Sequence, residues 1–383
     1  MAGARIDLKR LAAIGIPIVF IIVGLAMVAY GFTMKEVHAI NWGLLNAGYT
    51  YLALVAGGSI LVWGALILGY KGPRGELGKT ARLGLLFSIV SLLCALLIIT
   101  VEVTRPTAFW RVFTGFNPIS RVAWDAPLIT GYIIILAIQL ILMIRAAEKG
   151  LGRAELALAA LGLIVAVIFY SNLAQVYGSM VAVPGWYGAY LVPYFLVSAI
   201  LLGAAGYVVF TAPYIWRDGE LKSFTAYYYG LVIASSALLL GLLTMWNVVT
   251  AWYNPQAWAT YSMLVGGAYS ALFWGAVIAL GVIATFALAL YAAIKRNIAA
   301  ILSASTLALI AGFINIYLTI VIHQTKVPEI ISGLYRVAEY YVSTSEAFIL
   351  LGALIIWPSL YALGKAILPL LPEEKPKKLL IFK

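Results

Sequence analysis

Residues 264–294 read LVGGAYSALFWGAVIALGVIATFALALYAAI, a run of 31 residues that contains no charged side chain. A helix needs about 20 apolar residues to cross a bilayer, so this run predicts a transmembrane helix. The same bias extends over the whole chain of 383 residues, which is 64% hydrophobic and only 10% charged. Soluble domains carry about 25% charged residues, so the composition excludes a soluble protein.

Ten apolar segments of helical length predict ten transmembrane helices. They cover residues 12–32, 46–69, 83–101, 126–144, 156–177, 188–211, 226–248, 264–294, 298–322 and 346–367. A membrane β-barrel would need short segments of alternating hydrophobicity, which the sequence lacks. Cations precede the first segment as in a signal peptide, but no small-x-small cleavage site follows, so we expect a retained helix. The predicted fold class is therefore an all-α polytopic integral membrane protein.

Basic side chains are distributed unevenly between the two ends of these segments. Of the 25 Lys and Arg residues, 19 fall on the side of the N-terminus and six on the other side. The positive-inside rule then places both termini in the cytoplasm, with the protein in the cell membrane. In this topology the net charge of +11 lies on the cytoplasmic side. We therefore attribute the charge to membrane orientation and expect no nucleic-acid partner. The long outer connections, 102–125 and 323–345, carry many Trp and Tyr residues, so the outer face is the expected docking surface.

Few side chains in this sequence could hold a tightly bound redox cofactor. The chain has one cysteine and two histidines, which leaves no thiolate-bound iron–sulfur cluster and no haem attached through paired cysteines. His38 in an outer loop and His323 at the end of the ninth span are not expected to face each other across a haem. The sequence also has no metal-ligand spacing and no phosphate-binding loop. Any redox carrier should therefore be diffusible, and any catalytic metal should lie in another subunit.

Ionisable side chains within the spans gather near their outer ends, and such residues are functional candidates by default. The four are Glu102, Asp125, His323 and Glu346. Structural alternatives exist for each: Glu102 could pair with Arg105, Asp125 and Glu346 could mark helix starts, and His323 could be a satisfied interfacial histidine. Their common depth favours a site for an amphipathic ligand whose polar head lies near the outer surface.

Further polar residues lie at the same depth in the second and fifth spans. Asn46 and Tyr49 begin the second span, and Tyr170 and Tyr177 lie in the outer half of the fifth. Tyr170 could equally be a packed tyrosine with a bonded hydroxyl group. Gly57 in the second span either lets two helices approach closely or leaves room for a planar ring.

Six motifs in this order resemble the NrfD/PsrC family, the membrane subunits of polysulfide reductase and related molybdopterin or multihaem respiratory complexes. The motifs are NAGYTYLALVAGG (46–58), VEVTRPTAFW (101–110), FNPISRVAWDAPLITGY (116–132), FYSNLAQVYGSMVAVPGWYGAYLVPYFLVSAILLGAA (169–205), IVIHQTKVPE (320–329) and YYVSTSEAFILLGAL (340–354). Three positions depart from the family pattern. Glu102 replaces an Asp, His323 replaces a Gly, and Tyr49 stands where some relatives have His.

The resemblance implies a division of the chain into three parts. Residues 1–40 would form a cytoplasmic N-terminus and an additional first helix, 41–370 the family's membrane domain, and 371–383 a basic cytoplasmic tail. Spans two to five and six to nine would form two four-helix bundles, with the first and tenth spans flanking them.

The resemblance also implies a haem-free membrane subunit that binds and oxidises or reduces a quinone near the outer face. A menaquinone-like carrier would exchange with the quinone pool. Electrons would pass to or from an iron–sulfur subunit that serves a molybdopterin-type catalytic subunit docked on the outer face.

Carried over residue by residue, the resemblance assigns roles to the residues named above. Asn46, Tyr49 and Tyr170 would bind the quinone oxygens, with Tyr177 as the alternative to Tyr170. For the other residues we hypothesise roles that the family does not assign. Gly57 would leave space for the ring, and Glu102, Asp125, His323 and Glu346 would relay protons. Arg105 and Arg121 would hold the acidic groups or the partner subunit.

Two other functions are compatible with the sequence. A secondary transporter also has two helix bundles and a polar site, although no matched pair of broken helices is evident. A structural anchor would tether a soluble enzyme without quinone chemistry. If the chain is a respiratory subunit, its sequence does not identify the terminal substrate of the complex, because that chemistry belongs to another chain.

Overall fold

The protein is described by a computed structural model that covers residues 8–36, 40, 42–67, 76–103, 105–145, 152–216, 218–328 and 335–371. His38 and nearly all of the basic tail lie outside these residues. Within them, ten helices are long and apolar enough to cross a membrane, which confirms the predicted fold class. The helices are α1 (Leu8–Thr33), α2 (Leu44–Val55), α3 (Gly58–Ile67), α4 (Glu76–Glu102), α5 (Arg111–Thr114), α6 (Arg121–Arg145), α7 (Arg153–Gly178), α8 (Leu191–Ile215), α9 (Gly219–Trp252), α10 (Pro255–Val265), α11 (Leu272–Lys295), α12 (Ile298–Val321) and α13 (Thr344–Ile367).

The membrane helices form two four-helix groups with a flanking pair. The first group comprises α4, α6, α7 and the span Leu44–Ile67, which is divided into α2 and α3. The second group comprises α8, α9, α11 and α12, and it packs against the first through α2, α3 and α7. The flanking helices α1 and α13 pack on each other, and α13 also packs on α4. The observed grouping matches the one predicted from the sequence.

The flanking helix α1 is held to α13 by close backbone contact. A Cβ atom on Gly24 would lie 2.7 Å from the Gly352 carbonyl oxygen, and one on Gly352 would lie 2.6 Å from the Gly24 carbonyl oxygen. The Ser345 hydroxyl donates a 2.7 Å hydrogen bond to the Gly31 carbonyl oxygen. Small residues of this kind let membrane helices approach closely, so the additional first helix docks on α13 rather than entering either bundle.

The second span is interrupted where it crosses the second bundle. The turn at Ala56 and Gly57 separates α2 from α3, and a Cβ atom on Gly57 would overlap the Ala199 carbonyl oxygen of α8. A Cβ atom on Gly203, one turn further along α8, would overlap the backbone nitrogen of Gly58. The interface between the two bundles is therefore a backbone-to-backbone contact at this height.

Two short segments complete the structure at the end of the bundles where α2 begins. A 3₁₀ turn, Pro106–Ala108, and α5 connect α4 to α6. Strands β1 (Lys326–Pro328) and β2 (Tyr335–Val337) form an antiparallel pair with Lys326 opposite Val337. The first half of α11, Leu272–Ala284, is π-helical.

The glycine contact between the bundles predicts that an alanine substitution lowers stability at Gly203 but not at Gly64. Gly203→Ala should lower the free energy of unfolding by about 1–3 kcal/mol, because the added Cβ atom forces backbone apart in a packed interior. Gly64→Ala is the matched control, since no atom lies within 4 Å of a Cβ atom at that position. Thermal unfolding in detergent measures both Tm values. Equal Tm values for Gly203→Ala and Gly64→Ala would contradict the close contact.

Candidate functional site

A cavity of about 510 Å³ lies at one end of the first bundle, and we name it the Asp125 cavity. The ends of α2, α4, α6 and α7 form its sides, and the connection between α4 and α6 covers it. Its lining residues are Trp42, Asn46, Tyr49, Leu96, Ile99, Glu102, Val103, Arg105, Ala108, Phe109, Val112, Val122, Asp125, Ala126, Ile129, Val176 and Tyr177. Most of this surface is apolar, with polar groups from each of the four helices.

Asp125 on α6 is held by neutral donors from two other helices. The Tyr49 hydroxyl of α2 donates to its Oδ2 atom at 3.2 Å, and the Asn172 amide of α7 donates to its Oδ1 atom at 2.7 Å. The same amide donates to the Arg121 carbonyl oxygen at 3.1 Å, in the first turn of α6. Three helices therefore meet at one carboxyl group, which is partly exposed to the cavity.

Glu102, at the end of α4, has a charged partner instead. The Lys35 ammonium group lies 3.5 Å from its Oε2 atom, and the Asn46 amide lies 3.5 Å from its Oε1 atom. Lys35 also donates to the carbonyl oxygens of Val101 and Glu102. A cation at the C-terminal end of a helix is stabilised by the helix dipole, so Lys35 complements both the side chain and the helix end.

The two carboxyl groups of the cavity are therefore suited to different chemistry. Protonation of Glu102 would remove its ion pair with Lys35. Asp125 can accept a proton while Tyr49 and Asn172 remain beside it as uncharged groups. When two carboxyl groups of one site lie in different surroundings, one can act as a general acid while the other stays ionised.

One wall of the cavity is aromatic. The indole rings of Trp42 and Trp186 are stacked with centroids 5.4 Å apart, and Tyr177 makes edge contacts with both, at 5.2 and 5.3 Å. The Tyr177 hydroxyl is 2.8 Å from the Thr50 hydroxyl. Apolar and aromatic walls with a small number of polar groups are typical of small-molecule sites.

The second bundle holds this wall in place. The Gln324 side chain accepts a hydrogen bond from the Trp42 backbone nitrogen at 3.2 Å and donates to the Trp42 carbonyl oxygen at 2.7 Å. The Trp186 indole nitrogen donates to the Thr319 carbonyl oxygen at 2.6 Å. The Thr319 carbonyl oxygen lies near the end of α12, and Gln324 lies in the 3₁₀ turn that follows it. The end of a second-bundle helix therefore fixes the aromatic wall of a cavity in the first bundle.

Of the site residues proposed from the sequence, five line the Asp125 cavity. They are Asn46, Tyr49, Glu102, Asp125 and Tyr177. Arg105 also lines it, whereas the Arg121 side chain is exposed. The other four predicted residues, Gly57, Tyr170, His323 and Glu346, lie elsewhere.

Tyr170 and Gly57 lie deeper in the interface of the helices. The Tyr170 side chain is fully buried, and its hydroxyl donates to the Ala53 carbonyl oxygen at 3.0 Å. Gly57 packs on Ala199, as described above, and the geometry of both residues corresponds to the packing alternatives raised for them.

His323 belongs to the second bundle. Its Nδ1 atom is 2.8 Å from the Thr260 hydroxyl, and its ring lies 4.6 Å from the Tyr261 ring. It borders a separate, small cavity of about 20 Å³ lined by polar groups of α9, α10 and α12. That volume is close to the room needed by a single water molecule.

Glu346 shapes the start of two helices. It forms a capping box with Ser343 at the start of α13, and its Oε1 atom accepts a 3.1 Å hydrogen bond from the Leu44 backbone nitrogen at the start of α2. The Tyr340 hydroxyl donates to the same carboxylate at 2.9 Å. Burial, and then the nearby Glu346 charge, raises the pKa of Tyr340, so Tyr340 remains a donor and Glu346 fixes where α2 begins.

Four residues that shape the cavity were absent from the predicted site. They are Lys35, Trp42, Asn172 and Gln324. Asn172 and Gln324 were detectable as polar residues at the depth of Asp125, but Lys35 and Trp42 look like an ordinary loop cation and an interfacial aromatic residue. Among the described residues, no group of three or more His, Cys, Asp or Glu side chains could hold a metal ion.

The fold and the cavity together define a polytopic helical membrane protein with a candidate two-carboxyl site at one end of its first bundle. The chain belongs to the NrfD family: residues 33–328 match the family described as "Polysulphide reductase, NrfD". This match confirms the resemblance found in the sequence motifs. It includes α2 to α12, and nearly all of α1 and all of α13 lie outside it.

A curated relative gives a second comparison. The chain is 25% identical over 166 residues to the "Hdr-like menaquinol oxidoreductase integral membrane subunit" of Archaeoglobus fulgidus. The aligned part covers 43% of this chain and 40% of the relative. The chain thus matches less than half the length of this relative.

The link between Gln324 and Trp42 predicts a local change in amide exchange. Gln324→Ala removes the acceptor of the Trp42 amide, and a typical hydrogen bond contributes about 1 kcal/mol, so exchange at residue 42 should accelerate about fivefold. Hydrogen–deuterium exchange with peptide mass spectrometry measures it. Gln256→Ala, at an exposed position on α10, is the control. Unchanged exchange at residue 42 would contradict the role of Gln324.

Proposed function

We propose that this chain is the quinone-reactive membrane subunit of an oxidoreductase complex and that the Asp125 cavity is its quinone site. The observation that carries the proposal is the Asp125 carboxyl group, held by Tyr49 and Asn172 beside an apolar and aromatic cavity. The family membership supports the class of protein. The name of the Archaeoglobus relative, a menaquinol oxidoreductase membrane subunit, supports the ligand.

The residues of the cavity fit a quinone or quinol. Cavities for small molecules measure about 300–1,000 Å³ and combine apolar walls with few polar groups, and this one has 510 Å³. Asn46 and Tyr49 place an amide and a hydroxyl at the start of one helix, three residues apart and hence on one face. Trp42 and Tyr177 present ring surfaces for a planar headgroup.

A quinone, when bound, exchanges two electrons and two protons. Asp125 accepts or returns one proton at its carboxyl oxygen, which lies 3.2 Å from the Tyr49 hydroxyl. Glu102 offers a second carboxyl group at the cavity wall, paired with Lys35. Asn46, beside Glu102, orients an oxygen of the ligand through its amide. Positioned acids and bases of this kind contribute about 10²–10⁴-fold to a rate.

The electron partner would bind over the connection between α4 and α6. This segment exposes large apolar side chains, with Trp110 58% and Ile119 89% exposed, between the cations Arg105, Arg111 and Arg121. Apolar residues with arginines at their edge are typical of protein interfaces. An iron–sulfur subunit that serves a molybdopterin-type catalytic subunit would dock here.

The orientation in the membrane follows from the basic residues. The topology predicted from the sequence assigns only six of the 25 Lys and Arg residues to the side on which Asp125 lies, and the positive-inside rule therefore supports an outer location for the cavity. Both termini would be cytoplasmic, and the chain would lie in the cytoplasmic membrane.

A secondary transporter remains the alternative because the turn between α2 and α3 breaks a membrane helix. Broken helices bind substrate in transporters through their free backbone groups. Here Gly57 packs on Ala199 and the Ala53 carbonyl oxygen accepts the Tyr170 hydroxyl. The break therefore serves helix contact, which favours the quinone site over a transport site.

Neutralising Asp125 should slow quinone turnover without loss of the complex. Asp125→Asn keeps the shape but removes the proton acceptor, so the quinol oxidation rate of purified membranes should fall about 100-fold or more. Glu220→Gln, an exposed carboxyl group at the start of α9, should leave the rate unchanged. Co-purification of the partner subunits shows that the complex remains intact. A rate within twofold of wild type in Asp125→Asn would overturn the assignment.

Variants of Asn46 and Tyr170 distinguish a residue that binds quinol from a residue that only packs between helices. Asn46→Leu should raise the KM for quinol about five- to tenfold, because a hydrogen bond contributes about 1 kcal/mol. Tyr170→Phe should leave KM within twofold, since its hydroxyl is bonded inside the helix interface. Steady-state kinetics over a series of quinol concentrations measures both. The reverse order of effects would favour Tyr170 as the binding residue.

A further inference from the structure

The small polar cavity of the second bundle, which His323 borders, lies where five helices converge. Its volume is about 20 Å³. The lining residues belong to α8, α9, α10, α11 and α12 or directly adjoin them, and they are Tyr190, Tyr194, Thr244, Asn247, Tyr261, Leu264, Phe273, Asn315, Leu318, Thr319 and His323. Most of these side chains carry a polar group. Cavities for small-molecule ligands measure about 300–1,000 Å³, so this one is too small for a quinone.

The buried ring of His323 has one nitrogen atom available to this cavity. Its Nδ1 atom is 2.8 Å from the Thr260 hydroxyl, and Gly185 packs on the same edge, where a Cβ atom would overlap the ring. The side chain is only 2% exposed, and its Nε2 atom has no hydrogen-bond partner among the described residues. Because buried polar atoms are nearly always hydrogen-bonded, we expect the occupant of the cavity to bond to Nε2.

Two threonines supply acceptor atoms around the same space. The Thr244 hydroxyl donates to the Leu240 carbonyl oxygen at 2.8 Å, and the Thr319 hydroxyl donates to the Asn315 carbonyl oxygen at 2.8 Å. Each hydroxyl group has thereby used its only proton, so its oxygen can only accept a further hydrogen bond. The Asn315 side chain adds an amide that can both donate and accept.

The size and the polarity of the cavity favour water among the possible occupants. A water molecule needs about 10–15 Å³ of such space and two to four polar partners, whereas cavities that stay dry are apolar. A metal or ammonium ion is disfavoured, because a buried cation is costly without a compensating charge. None of the described residues that line this cavity is acidic.

We propose that the small polar cavity binds one ordered water molecule that bridges His323, Thr244 and Asn315. The water donates one hydrogen to the Thr244 hydroxyl oxygen. It shares a second hydrogen bond with the His323 Nε2 atom, whose direction depends on the tautomer of the ring, and Asn315 provides the third partner. The water thus connects α9 to the end of α12. At Asp125 in the first bundle, side chains alone make the corresponding connection.

The proposed water lies behind the turn that carries the aromatic wall of the Asp125 cavity. The Trp186 indole nitrogen donates to the carbonyl oxygen of Thr319, which lines the small polar cavity. Gly185, the preceding residue, packs on the His323 ring. We therefore expect the water to help to hold this turn in place. The proposal does not depend on which ligand the Asp125 cavity binds.

Radiolytic hydroxyl labelling of the full chain in detergent, in water enriched in oxygen-18, tests for this water. X-ray pulses convert water to hydroxyl radicals, and a packed side chain is labelled when a bound water adjoins it. Tyr261, 5% exposed, lines the cavity, whereas Tyr51, 6% exposed, bonds to the Leu309 carbonyl oxygen outside it. Tyr261 should be labelled about fivefold faster, because only Tyr261 adjoins a water site. Equal labelling rates at the two tyrosines would overturn the proposal.

Variants of the lining show whether the label comes from the cavity. Asn315→Leu fills the cavity with an apolar side chain of similar size, so labelling of Tyr261 should fall to the rate of Tyr51. Thr306→Leu, at an exposed position on the same helix, should leave labelling unchanged. If Asn315→Leu does not fold, Thr244→Val keeps the shape and should lower labelling about twofold or more, because the water loses a partner. Labelling of Tyr261 at the wild-type rate in the folded variant would overturn the water site.

Discussion

The hydrogen-bonded carboxyl group of Asp125 is the contact on which the arrangement of the first bundle depends. Lipid offers no partner for a polar group, so each one at membrane depth must be satisfied by the protein. Asp125 meets this requirement through Tyr49 on α2 and Asn172 on α7. The three helix ends are thereby fixed relative to one another, and the space beside them becomes the cavity. Lys35 and Glu102 close the same end of α4 with a second polar contact.

The two bundles contribute differently to this site. The first provides the carboxyl groups, and the second provides the support for the aromatic wall through Gln324 and Thr319 at the end of α12. The backbone contact of Gly57 and Gly203 fixes the distance between the bundles at greater depth. A cavity at the edge of one bundle is therefore shaped by the other.

Much of the fold could be predicted from the sequence because bilayer thickness sets a length that each span must meet. The depth of the polar residues could be predicted in the same way. It correctly grouped Asn46, Tyr49, Glu102 and Asp125 at one end of the first bundle. The direction in which each side chain faces was not readable. Glu346 lies at the right depth but faces the start of α13 and of α2.

Helical spacing alone also does not show which of two tyrosines on the same helix face lies at the depth of the cavity. Tyr170 and Tyr177 are seven residues apart on one face of α7, about 10 Å in height, and only Tyr177 reaches the cavity. His323 lies at the right height in the wrong bundle for that cavity. Lys35 and Trp42 act through contacts between distant segments, and no local pattern in the sequence encodes such contacts.

Photoaffinity labelling with an azido-quinone tests whether the Asp125 cavity binds quinone, because it locates the ligand without relying on activity. Intact membranes are irradiated with and without excess unmodified quinone, and the labelled peptides of this chain are mapped by mass spectrometry. We expect labels within residues 42–49 and 122–129, the segments that contribute to the Asp125 cavity, and we expect unmodified quinone to suppress them. Suppressible labels confined to residues 244–264 and 315–323, around the small polar cavity of the second bundle, would contradict this expectation.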